Sequence, residues 1–79
     1  MEQTVLEILA DVCGDDTLLT DPDRDLFQND LLDSLAFVML LTQLDDRLGV
    51  EIQPTRVPRE SWRMPRRIIE LVRAELAKK

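Results

Sequence analysis

Apolar residues recur at helical spacing in three stretches of the chain, and no run alternates at the two-residue period of a strand. Over residues 3–13, Val5, Ile8, Leu9 and Val12 fall on one helical face. Thr4 and Glu7 stand at capping-box spacing, with an earlier start left open, and Gly14 is a natural left-handed terminator. Over residues 34–48, Phe37, Leu40, Leu41, Leu44 and Leu48 form a core stripe, and Gly49 ends it. Leu35, Val38 and Met39 fall toward another side of the same helix. A helix that is apolar on more than one side is either fully buried or meets a partner. The last stretch opens at Pro65, which suits a first helical position, and carries Ile68, Ile69, Val72 and Leu76.

The connections are of two kinds. Residues 15–33 read as a long Asp-rich loop broken by Pro22, with a short helical turn expected from Asp21-Pro22. A loop of that length in a small chain needs pinning, and Leu18, Leu19, Leu26, Phe27, Leu31 and Leu32 can supply it. Residues 50–64 read as an irregular crossing anchored by Val50, Ile52, Val57 and Trp62, with a short helical turn near 55–61. The pattern predicts an all-α fold in one domain over residues 1–79: a four-helix bundle with a long first loop and a short third helix.

Composition narrows the chemistry. A chain of 79 residues buries only about 60% of its unfolded surface, so its core is thin. Aromatics are few, and Leu, Ile and Val must fill that core. The chain has no histidine, which removes His-based triads, His metal sites and the usual neutral-pH base. One cysteine, Cys13, excludes an internal disulfide and reads as a small buried residue in a reducing compartment. The longest apolar run, Leu35 to Leu41, is too short to span a bilayer, and residues 1–20 lack the marks of a signal peptide. A cytoplasmic, soluble protein is expected.

Net charge is −6, unevenly placed. Residues 1–53 carry 13 acids and 2 bases, whereas residues 54–79 carry 3 acids and 8 bases. The first part would repel nucleic acid. The basic end, with Arg63, Arg66, Arg67, Arg73, Lys78 and Lys79, reads as a solvated face that offsets the acidic half and the C-terminal helix dipole. Asp21, Asp23 and Asp25 open like a calcium loop, but Leu26 and Leu32 then stand where glycine and glutamate belong. With no Cys/His cluster either, no metal site is expected. Asp45 and Asp46 point in different directions on a helix and form no catalytic pair. No catalytic constellation emerges, and a chain this small lacks walls for a deep pocket.

What stands out is Asp33-Ser34-Leu35, where the long loop meets the second helix. Asp and Ser are ordinary helix caps. The tripeptide alone favours that bland reading, but a serine at a helix start also faces solvent beside unpaired backbone N–H groups and the positive end of the dipole, a suitable place to tether an anionic arm.

The segment Asp25-Leu26-Phe27-Gln28-Asn29-Asp30-Leu31-Leu32-Asp33-Ser34-Leu35 resembles the phosphopantetheine attachment region of acyl and peptidyl carrier proteins. Within that family the likeness is to the D-alanyl carriers. Leu9 to Asp16, Asp25 to Ser34, and Arg47-Leu48-Gly49-Val50 leading to Pro58-Arg59-Glu60-Ser61-Trp62 carry it, and Pro65 with Ile68-Ile69 extends it almost to the end. The resemblance implies an acyl-carrier-like helical bundle that is a substrate shuttle and not an enzyme. Ser34 would bear a covalent 4′-phosphopantetheine, and Asp33 would help hold the metal ion used while the arm is attached. It further implies a phosphopantetheinyl transferase, a D-alanine–carrier ligase and a membrane O-acyltransferase of teichoic acid D-alanylation as partners, no nucleic acid, and a monomer. Leu35, Val38 and Met39 are the candidate docking face. The chain departs from the family in placing Met39, Thr42 and Gln43 where acids usually follow the serine, and Asn29-Asp30 where a glycine is common. The same features suit a discrete peptidyl or acyl carrier of another biosynthetic pathway. An interaction domain with no prosthetic group, in which Ser34 is only a cap, is the third alternative.

Overall fold

The computed structural model describes residues 1–78 and contains three α-helices: α1 (Glu2–Cys13), α2 (Ser34–Leu48) and α3 (Pro65–Ala77). There is no strand among the described residues. Each helix buries one stripe. Val5, Ile8, Leu9 and Ala10 come from α1, Ala36, Leu40 and Leu44 from α2, and Ile68, Ile69 and Val72 from α3. With Leu18, Leu26, Val50, Ile52 and Trp62, nearly all of these form one hydrophobic cluster. Phe37, Leu41, Leu48, Val12 and Leu76, expected in the core, are half-buried at its margin. No helix among the described residues is long and apolar enough to cross a membrane.

Helix ends follow local chemistry. α1 begins at Glu2, capped by the Met1 backbone and by no side chain, so the Thr4–Glu7 capping box does not form. The Val5 N–H reaches the Met1 carbonyl at 3.1 Å, which places Thr4 inside the helix. Gly14 (φ 66°) and Gly49 (φ 65°) terminate α1 and α2 in the left-handed conformation their positions call for. Pro65 is the first residue of α3 and is itself buried.

The connections break into 3₁₀ turns. The long loop carries turns at Asp16–Leu19 and Gln28–Asp30. At the expected helical start Asp21-Pro22 there is only a single hydrogen-bonded turn, the Arg24 N–H meeting the Asp21 carbonyl at 3.4 Å. Leu18 and Leu26 are fully buried and Leu19, Phe27 and Leu32 pack against the core, whereas Leu31 does not join it. Where one short third helix is expected near 55–61, two 3₁₀ turns lie at Pro54–Arg56 and Arg59–Trp62. Pro58 explains the break: it lacks an N–H, and Val57 before it is extended (φ −117°, ψ 131°), the conformation a following proline imposes.

The uneven charge also resolves into particular contacts. Arg66 grips Asp23 with two hydrogen bonds, 2.7 and 3.2 Å, and its own N–H meets the Pro22 carbonyl at 2.8 Å. Arg63 meets Asp25 at 3.1 Å. Arg73 reaches from α3 to Glu2 of α1 at 2.7 Å. The basic segment is thus a solvated face, as expected, and Arg63, Arg66 and Arg73 on it meet acids of the first part directly. Solvent screens these exposed pairs, so they set register more than stability.

Candidate functional site

Ser34 is the first residue of α2 and is exposed. The capping falls to Asp33 before it. One Asp33 carboxylate oxygen accepts from the Ala36 N–H at 2.8 Å, and its carbonyl accepts from the Phe37 N–H at 2.8 Å. Asp33 thereby satisfies an orphan N–H of the first turn and places a negative charge where the dipole favours one. The Ser34 hydroxyl is left free of that duty.

The loop that delivers Ser34 is closed at its neck. The Leu32 N–H donates to the Leu26 carbonyl at 2.9 Å, and the Leu26 N–H donates to the Arg63 carbonyl at 2.6 Å. Asp25 accepts from the Phe27 N–H at 3.0 Å with one oxygen and from Arg63 with the other. At the tip, Asn29 (φ 58°) and Asp30 (φ 53°) are both left-handed. This is where the sequence carries no glycine, and Asn and Asp are the side chains that tolerate the region best. The triplet Asp21, Asp23 and Asp25 that opens like a calcium loop thus has Asp23 and Asp25 engaged by α3-side arginines. No group of three or more acidic or cysteine side chains that could hold a metal occurs among the described residues.

Beside Ser34 lies an open groove of about 260 Å³, lined by Phe27, Leu32, Asp33, Ser34, Phe37, Arg59 and Trp62. Trp62, almost fully buried, forms its floor with Phe37, the two rings meeting edge to face at 4.9 Å. Arginine guanidinium groups lie over the Phe27 ring, Arg59 at 4.8 Å and Arg63 at 5.1 Å. The groove and the two arginines over Phe27 escape a reading of periodicity, because they join residues from distant parts of the chain. The only sequence signal was the clustering of Arg59, Trp62 and Arg63 in one short segment.

Leu35, Val38 and Met39 do not line the groove. They share one face of α2, at spacings of three and four, and are 70%, 59% and 41% exposed. Ser34 therefore stands between an aromatic groove and an uncovered apolar helix face.

Cys13 ends α1 half-buried. Burial pushes its thiol up from 9.0 to about 11, helped by the negative charges of Asp33 and Asp15. The thiol is protonated at neutral pH and a poor nucleophile there. Asp15 caps the next turn through the Thr17 N–H, and its bonds to Thr17, aided by Arg24, hold its carboxyl below the usual carboxylate range.

An exposed serine thus begins a capped helix beside an open, partly aromatic groove. Comparison with known proteins decides the family. The model of the phosphopantetheine attachment site matches residues 3–72. The D-alanyl carrier protein of Enterococcus faecalis is 40% identical, over 94% of this chain and 95% of its own length. That of Latilactobacillus sakei is 42% identical, over 87% of this chain and 88% of its own. The chain belongs to the D-alanyl carrier family. The corresponding protein of Lacticaseibacillus casei, 43% identical over 86% of this chain and 84% of its own length, is a further relative. Membership brings with it a covalently attached 4′-phosphopantetheine. The residues present fit such a group. Ser34 offers an accessible hydroxyl, α2 an N-terminus suited to an anion, and the groove room beside them.

Proposed function

We propose that the chain carries D-alanine as a thioester on a phosphopantetheine arm attached to Ser34, for D-alanylation of teichoic acids. The observation that carries this reading is the division of labour at the α2 start, where Asp33 caps and exposed Ser34 does not, in a member of the D-alanyl carrier family. The arm supplies a terminal thiol for the acyl group. The chain supplies position: the closed loop neck and the cap hold the serine at a fixed helix end, which limits where partner enzymes must look for it.

The protein is a shuttle and not a catalyst. With no histidine and a protonated Cys13, the chemistry belongs to its partners. These are a phosphopantetheinyl transferase, a D-alanine–carrier ligase and a membrane O-acyltransferase. Asp33 helps hold the metal ion during arm transfer while capping α2. Leu35, Val38 and Met39 form the docking face. Since acids are absent just past the serine, apolar contact there counts for more than charge steering. The 3₁₀ turns at 54–62 stand in for the short third helix of a four-helix carrier bundle. Residues 1–79 act as one domain, monomeric and cytoplasmic.

Incubating the arm-bearing protein with ATP, the cognate ligase and D-alanine should add one alanyl group, measured by intact mass, and L-alanine should add far less. Loading with another amino or acyl acid but not with D-alanine would assign the chain to a different carrier pathway.

A further inference from the structure

We propose that Arg59 is the counter-ion of the arm's phosphodiester and holds the first part of the arm in the groove floored by Phe37 and Trp62. This rests on the attachment at Ser34.

Arg59 lines the same groove as Ser34. Among the described residues, Arg24, Arg47, Arg63, Arg66, Arg67, Arg73 and Lys78 each have a carboxylate within 4.0 Å, whereas Arg56 and Arg59 have none. Arg56 lines a different cavity, with Glu51, Glu75 and Lys78. Arg59 is therefore the one described cation that borders the groove without an acidic partner. Its guanidinium lies over Phe27 at 4.8 Å. Stacking occupies the face of the group and leaves its N–H donors at the edge free. Arg63 shares the same ring, but its donors are committed to Glu60 at 2.8 and 3.1 Å and to Asp25 at 3.1 Å.

A phosphodiester on the Ser34 oxygen puts a negative charge next to the Asp33 carboxylate. The α2 N-terminus offsets part of that repulsion. A guanidinium held by Phe27 offsets more, and can present two parallel donors to phosphate oxygens. The apolar floor then suits the arm's dimethyl-substituted carbon, which follows the phosphate. Arg59 is a positioning residue: it sets where the arm rests, not whether the acyl group forms.

The test uses ¹⁵N-labelled wild type, Arg59→Gln and Arg59→Lys, each taken to complete arm attachment as verified by intact mass. A wild type that gains no mass would refute attachment itself, before Arg59 is in question. With the arm in place, its addition should shift the Arg59 Nε–H and Trp62 indole N–H resonances of the wild type. The ³¹P resonance should move away from that of free phosphopantetheine. Arg59→Gln should lose the ³¹P and indole shifts, and Arg59→Lys should keep part of them. High salt, which shortens the screening length to about 3 Å at 1 M, should reduce them in the wild type. Unchanged Arg59 and Trp62 resonances in the wild type, or undiminished ³¹P and indole shifts in Arg59→Gln, would overturn the proposal. Arg59 is exposed, so the variants keep the fold, and the apo spectra check this directly.

Discussion

Replacing Asp33 and Ser34 in turn separates the structural residue from the functional one. Asp33→Ala removes the oxygen that accepts from the Ala36 N–H at 2.8 Å. Loss of such a cap costs about 0.5–2 kcal/mol. Ala36 is only 5% exposed, so water replaces the lost acceptor poorly, and the upper part of the range, about 1–2 kcal/mol, applies. For a domain of this size that lowers Tm by roughly 4–16 °C. Asp33→Asn keeps an acceptor oxygen and gives up only the charge at the positive helix end, about 0.3–1 kcal/mol. Ser34→Ala touches no cap and should stay within about 0.5 kcal/mol of the wild type. Helical circular dichroism and the fluorescence of Trp62, the only tryptophan, report the transition. The expected order of stability is wild type and Ser34→Ala together, then Asp33→Asn, then Asp33→Ala. If Ser34→Ala lost more than Asp33→Ala, the serine would be the structural residue and the tethering argument would fail.

Three further outcomes follow from the same structure. Leu40→Ala, on the fully buried face of α2, should cost about 2–5 kcal/mol, whereas Leu35→Ala should change stability by less than about 0.5 kcal/mol and instead weaken ligase binding; urea titration and a binding assay check the pair. Asp30→Gly should stabilise by about 0.5–1 kcal/mol by relieving a left-handed side chain, seen as a raised urea midpoint. Because the folded Cys13 thiol ionises near pH 11 and the unfolded one near 9.0, its share of stability is whole below about pH 9 and is lost as pH rises through 11; Cys13→Ala should show a shallower alkaline fall in Tm over that window.

Local period and punctuation made the helices legible. The apolar stripes of α2 and α3, with Gly14, Gly49 and Pro65 at their places, need only neighbouring residues to be read. The start of α1 was legible only as a range, because Thr4 and Glu7 have capping-box spacing while no side chain caps the earlier start at Met1. The crossing was half legible. Val50, Ile52 and Trp62 were readable as anchors, but the break at Pro58 turned one expected helix into two 3₁₀ turns. Ser34 was legible as a special position from its junction and its resemblance, and the structure adds that Asp33 does the capping. The groove was not legible. Contacts such as Arg63 with Asp25 and Arg59 over Phe27 join positions far apart in the chain, and no helical period encodes them.

The central claim is that Ser34 bears the arm. Intact mass of wild type and Ser34→Ala, each treated with coenzyme A, magnesium and a broad-specificity phosphopantetheinyl transferase, tests it most directly. A phosphopantetheine-sized gain is expected in the wild type and none in Ser34→Ala. An equal gain in both proteins would contradict it by placing the arm elsewhere. No gain in the wild type, even with the transferase of the source organism, would leave an interaction domain with no prosthetic group.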